Sequence, residues 1–355
     1  MRSALLLFSC ALAGLAQIQP GQPAPPEERA TFRIPVNTVI APTTVLTKKG
    51  EYVNGIQLGD FTLYDNGKPQ KITADVAFEP LSLVVDVQAS ADLEEILPKI
   101  QKIGIEMSVL VAGADGEVSV VAFDHRIRVM QDFTTESTKV EQAFRQITPG
   151  GQNHQLIDAV NQSVRMLQKR PTERRRVILV IAEKRDKASQ GKLREVMEAV
   201  QLANISIYAV DISSVIAGLT SKGQPPPPPP IPVTAQAVPA GAVQTPTSID
   251  QNYYNGNYIP VFVDIFKGVK SLFSDDTLDV FTRYTGGKQY SFIKKETLDK
   301  AVSSIADEIH SQYLLSYVPN NQDEGGFHDI KVVVNRPGLE VRTRPGYWKA
   351  ATPTP

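Results

Sequence analysis

Leu81-Ser82-Leu83-Val84-Val85-Asp86 decides the reading of this chain: a nearly unbroken aliphatic run ends directly on a carboxylate. Such a run fits a strand buried on both faces, the kind that parallel sheets contain. Behind it, Leu93, Ile96, Leu97, Ile100 and Ile103 recur at helical spacing. The pattern then predicts strands at Met107–Ala112, Val118–Phe123 and Arg126–Val129, and helices at Ser137–Ile147 and Leu156–Leu167. Val177–Ala182 and Ile205–Val210 read as two more buried strands, separated by a helix at Leu193–Leu202. Strands alternating with helices specify an α/β fold with a mostly parallel sheet and helices on both faces. Ligands of such sheets sit outside the carboxyl ends of the strands. Polar residues that follow the aliphatic runs are therefore the first site candidates.

Outward from this core the chain turns to β-structure at both ends. Over residues 31–80, Phe32, Ile34 and Val36 alternate, Thr47-Lys48-Lys49-Gly50 reads as a turn, and Asp60–Tyr64 alternates again. Asp65-Asn66-Gly67 is a hairpin signal, because Asn and Gly accept positive φ. Gln70–Phe78 reads as further extended chain. Over residues 311–349, Tyr313–Val318 is apolar and extended, Ile330, Val332 and Val334 alternate, and Leu339 and Val341 follow a turn at Asn335-Arg336-Pro337-Gly338. Neither β-region is long enough to cover its own apolar face. Pairing the two predicts a β-sandwich into which an α/β domain at residues 81–310 is inserted. Within that domain, residues 214–259 read as a long exposed loop carrying six consecutive prolines, Pro225–Pro230, a stiff polyproline II rod. It serves as a spacer, or else as a docking segment for a proline-reading partner. Helices at Phe262–Phe281 and Leu298–Ile309 and a strand at Gln289–Phe292 complete the domain.

Residues 1–16 read as an export signal: Arg2 gives a positive end, Ala4–Leu15 is a short apolar run, and Gly14-Leu15-Ala16 offers small residues before Gln17, with cleavage after Ala13 equally arguable. Residues 17–30, rich in Pro and Gln, read as a flexible leader. No later segment has the roughly 20 apolar residues of a membrane helix. The expected product is exported, periplasmic or secreted. Cys10 is the only cysteine and leaves with the signal, which excludes disulfides, thiol nucleophiles and zinc ribbons. A formal net charge of -1 argues against a nucleic-acid groove.

Val84-Val85-Asp86 followed by Ser90 resembles the first metal-ligand strand of von Willebrand factor A domains. More specifically, the chain resembles the acidobacterial VWFA-related family. Phe61–Ile72 is similar to that family's leader segment, Thr285-Gly286-Gly287 and Gln312–Tyr317 to its later blocks, and Arg342-Thr343-Arg344-Pro345-Gly346-Tyr347 to its closing signature. The resemblance implies a Rossmann-like fold and an exported protein. It also implies a metal-dependent adhesion site, in which Asp-x-Ser-x-Ser, a Thr and a later Asp hold Mg²⁺ or Mn²⁺ and a partner carboxylate completes the shell.

Against that pattern Asp86 and Ser90 match, Gln88 replaces the first Ser, His154 falls nearest the Thr when Asp158 is matched to the helix start, and Glu183 replaces the late Asp. Lys184 and Arg185 beside Glu183 oppose a divalent cation, and imidazole suits softer metals. Asp86, Ser90 and Glu183 are what remains of a metal set for Mg²⁺ or Mn²⁺. The expectation is a degenerate site, with Asp86, Gln88, Ser90, His154 and Glu183 forming a metal-free face for a protein partner. A structural or assembly role through the proline-rich loop and the sandwich is the alternative. No enzyme is expected: none of His125, His154, His310 and His328 sits in a Gly-x-Ser-x-Gly or His-Glu-x-x-His context, and no phosphate-cradling loop occurs.

Overall fold

The computed structural model describes residues 38–77, 79–220, 276–291, 297–322 and 324–349. The export signal, the leader, the alternation at Phe32–Val36, the proline run and most of the Phe262–Phe281 helix lie outside these residues.

Three sheets organise the described chain. The central one has six strands in the order β10 (Gln289–Ser291), β9 (Ile205–Asp211), β8 (Arg175–Ala182), β5 (Leu81–Gln88), β6 (Glu117–Phe123) and β7 (Ile127–Thr134). All neighbours are parallel except β6 and β7. Every residue of β5 is buried, as its aliphatic run predicts. Its odd residues, Leu83, Val85 and Val87, enter one core with α3 (Ser137–Arg145) and α8 (Thr297–Ser311). Val84, on the opposite face, joins α4 (Leu156–Gln168), α5 (Leu193–Leu202) and α7 (Thr277–Arg283) in a second core. The fold is thus α/β with a mostly parallel sheet covered on both faces.

Met107–Ala112 is helical, not a strand. Because β5 and β6 pair in parallel, the chain between them must return along the sheet, and helical turns including α1 (Leu97–Ile100) and α2 (Gly104–Glu106) make that crossing. Its burial confirms the period: Met107, Ser108, Val111 and Ala112 point inward, Val109 and Leu110 outward. A short apolar run does not by itself distinguish the two states. A second correction falls at the start of the predicted loop: Ser213–Thr220 forms helix α6, with Ile216 in the first core.

The chain ends supply two antiparallel sheets. One runs β13 (Leu339–Thr343), β1 (Val39–Thr47), β11 (Tyr313–Tyr317), β4 (Ile72–Asp75); the other runs β14 (Gly346–Lys349), β12 (Gly326–Val334), β2 (Phe61–Asp65), β3 (Lys68–Gln70). Ala41, Val45, Leu63, Leu315, Ile330 and Val332 from the two sheets share one core, so they form a sandwich. Asn66 and Gly67 join β2 to β3 at φ 50 and 74, the two-residue turn that their sequence predicts.

Thr285-Gly286-Gly287 ends α7 by a close backbone approach. The Thr285 hydroxyl donates to the Phe281 carbonyl at 2.8 Å and accepts from the Ile207 amide at 2.8 Å, which ties the helix to β9. A Cβ on Gly287 would lie 1.9 Å from the Ile207 carbonyl oxygen. Gly287→Ala is therefore expected to cost about 3 kcal/mol of stability, because the obstacle is sheet backbone that cannot rotate away. Urea unfolding checks this.

Candidate functional site

The loops after β5 and β8 leave toward opposite faces of the sheet, which opens a crevice between these two strands at their carboxyl ends. Gln88, Ser90, His154 and Glu183 meet there. The Gln88 amide donates to Ser90 Oγ at 2.8 Å and to Glu183 Oε2 at 3.0 Å, and its oxygen accepts from the Glu183 backbone N–H at 2.8 Å. Both its hydrogens are thereby committed, and its oxygen already accepts one bond.

Asp86 stands apart from this group. Strand side chains alternate, and Asp86 points into the face covered by α4, where Ser163 Oγ donates to its Oδ1 at 2.6 Å. It is completely buried, and its Oδ2 has no partner among the described residues. Burial pushes its carboxyl up to about 8, and the Ser163 bond only partly offsets this. Asp86 is therefore a neutral acid near pH 7. This corrects the expectation for Asp86: it is not part of an accessible face.

Gln88, Ser90 and His154 are also completely buried. They support the crevice from beneath. His154 donates from Nε2 to the Arg185 carbonyl at 2.8 Å, and its Nδ1 looks at Glu183 Oε2 from 3.5 Å. Burial lowers its pKa, against the pull of the Arg185 bond and of Glu183, so the ring is neutral near pH 7.

The solvent-facing part consists of Glu183 and two residues that sequence reading missed, Asp92 and Lys187. Lys187 Nζ donates to Glu183 Oε2 at 2.8 Å and lies 3.8 Å from Asp92 Oδ2. Burial would raise the Glu183 carboxyl, but the hydrogen bonds from Lys187 and Gln88 outweigh it and hold the group below its ordinary value. Glu183 is thus an anion already neutralised by an ammonium. Among the described residues no three His, Cys, Asp or Glu side chains are gathered as a metal-holding group.

The Gly150-Gly151 loop frames the other side. The Gly150 N–H donates to the Ala89 carbonyl at 2.8 Å, and the Ala91 N–H donates to the Gly151 carbonyl at 3.0 Å. Buried Asp124 fills the space where a Gly150 side chain would be, only 1.5 Å from a hypothetical Cβ. Asp158 turns away from the crevice and accepts from the Gln190 and Gly191 amides at 2.9 Å each.

A family model described as von Willebrand factor type A domain matches residues 83–185. No curated protein matches the chain. Similar solved structures include the VWA domain of SpRpn10, at 13% identity, covering 37% of this chain and 75% of that one with a TM-score of 0.32. Another is the conserved hypothetical protein BatB of Bacteroides thetaiotaomicron, at 14% identity, covering 64% of this chain and 98% of that one with a TM-score of 0.38. The vWF domain of the type V pili tip protein Mfa5 of Porphyromonas gingivalis is similar at 17% identity, covering 30% of this chain and 39% of that one with a TM-score of 0.28. The match at residues 83–185, on a parallel sheet whose switch point lies between β5 and β8, identifies a von Willebrand factor type A domain in this chain.

Proposed function

We propose that this chain is an exported, non-enzymatic binding module that receives a protein partner on the crevice between β5 and β8 without a resident divalent metal. The observation that carries the reading is the Lys187–Glu183–Asp92 cluster at the rim of the switch point, with Gln88 locked beneath it. The cluster puts charge of both signs where ligands of such sheets dock, and the ammonium of Lys187 supplies the positive charge that a metal ion would otherwise bring. Export is supported by the sequence of residues 1–16. No helix among the described residues is long and apolar enough to cross a membrane.

The purified chain is expected to melt within about 1 °C of the same temperature in EDTA, Mg²⁺ and Mn²⁺, because no free anionic ligand set awaits a cation. A clear rise with Mg²⁺ that disappears in Asp86→Ala would overturn the metal-free reading. For the partner, cross-linking with wild-type protein, followed by mass spectrometry, is compared with Lys187→Ala and with a deletion of residues 221–259. A cross-linked protein lost in Lys187→Ala and retained in the deletion supports the crevice. The reverse pattern transfers the function to the proline-rich segment.

A further inference from the structure

The closing segment Arg342–Tyr347 takes no part in the crevice, yet one of its side chains is buried with a donor left unpartnered. Arg344 is only 3% exposed. Among the described residues its Nε has no hydrogen-bond partner and no ion pair reaches its guanidinium; the Tyr347 ring lies 5.7 Å away, and the charge of Asp65 acts on it. The nearby acid, Asp65, is already bonded by His328, Asn321, Tyr317 and Tyr347. A buried cation left unpaired is costly, and arginine cannot discharge the cost by losing its proton.

Arg344 lines a cleft of about 710 Å³ between α7, β10 and the strands β12 and β13. Two further buried polar atoms without partners, Gln289 Oε1 and Thr343 Oγ1, belong to residues lining the same cleft. Exposed Lys288 and Lys331 stand among the lining residues. The other lining arginines have carboxylates of their own: Arg283 pairs with Asp279 at 2.7 Å, and Arg342 pairs with Glu308. Asp329 is the remaining lining acid, and burial together with the charge of Asp65 raises its pKa. Lys288, Lys331, Arg283, Arg342 and Arg344 face Asp279 and Asp329 in this lining, so its excess charge is positive, and Arg344 is the most deeply buried of the cations.

We propose that this cleft is an oxyanion-binding site, in which a ligand carboxylate or phosphate pairs with the Arg344 guanidinium while a neighbouring polar group of the ligand meets Thr343 and Gln289. The planar guanidinium suits two parallel bonds to either oxyanion. The rim lysines raise the local anion concentration and guide its entry.

The test uses the full chain in chloride buffer, with melting and calorimetric titration against two probes. One is inorganic phosphate; the other is an acetylated dipeptide with a free terminal carboxylate, run beside its amide. Saturating binding by phosphate, or by the free acid but not the amide, with a rise in Tm, is expected, and the probe that binds identifies the oxyanion. Arg344→Leu is expected to weaken binding by about 30-fold or more. It should also melt at or above wild type without ligand, since it removes an unpaired buried charge. Thr343→Val, which preserves shape, is expected to weaken binding several-fold at unchanged Tm, and it decides the matter if Arg344→Leu does not fold. Absence of binding by both probes, or equal binding by wild type and both variants, would overturn the proposal.

Discussion

Replacing His328 with alanine is expected to lower the unfolding free energy by about 3–5 kcal/mol, because it strands a buried carboxylate. His328 and Asp65 are both completely buried inside the sandwich, with Nδ1 and Oδ1 2.7 Å apart. The ring also donates from Nε2 to the Glu324 carbonyl at 3.0 Å and stacks on Tyr347. Tyr317 of β11 and Tyr347 of β14 donate to Asp65 Oδ2 at 2.8 and 2.9 Å, so the carboxylate of one sheet is held by a hydroxyl from the other. Burial would lower the His328 pKa, but the bonds to Asp65 and Glu324 outweigh it and raise the value. Burial would raise Asp65, but the bonds from His328, Asn321 and Tyr317 outweigh it and lower the value. The sign of the pH dependence follows. The His328 contribution is complete below about pH 6.5, the unfolded value, and is lost as pH rises through the elevated folded value. The Asp65 contribution is complete above about pH 4 and is lost as pH falls through the depressed folded value. The pair should thus stabilise most between about pH 4 and 6.5. Urea unfolding of wild type and His328→Ala across pH 3–9 measures this; a difference that stays flat with pH would refute the ionised pair.

Asp86→Asn is expected to act in the opposite direction. A group whose folded pKa is about 8 costs nothing below its unfolded value of about 4. As pH rises, the unfolded chain releases this proton and the folded chain does not, so stability is lost up to about pH 8 and then levels off. At pH 7 the accumulated loss is about 4 kcal/mol. Asparagine has the same shape and no charge, and its oxygen still accepts from Ser163. The variant should match wild type near pH 4 and exceed it by several kcal/mol near pH 8. An advantage independent of pH would show that Asp86 does not keep its proton, and a loss of stability would show that its carboxylate has a bound partner.

The aliphatic runs made the central sheet legible, because continuous burial requires continuous apolar sequence. Their lengths could not separate strand from helix at Met107–Ala112; that choice was made by the return crossing between β5 and β6. Glu183, Gln88 and Ser90 were brought together as their places at strand ends implied. Asp86 was not: it lies two residues inside the end of β5, beneath α4, where Ser163 takes up its carboxyl, and no pattern in the sequence around it points to that partner. Lys184 and Arg185 adjoin Glu183 in sequence, but it is Lys187, four residues on, whose ammonium returns to the carboxylate. Asp65 read only as a turn residue, and nothing near it in sequence points to His328, its partner across 263 residues.

The wiring of the sandwich also governs when this protein can fold. Among the described residues the strands that pair with β1 are β11 and β13, both near the far end of the chain, and a bond such as Gln312 to Thr44 closes a loop of 268 residues. Local contacts let the α/β core collapse first, while the early strands wait with open edges. A ribosome-bound chain would hold those edges unsatisfied throughout synthesis. Completion of the sandwich therefore waits until residues 313–343 have been synthesised, so it is a late event in folding whatever happens earlier in the chain.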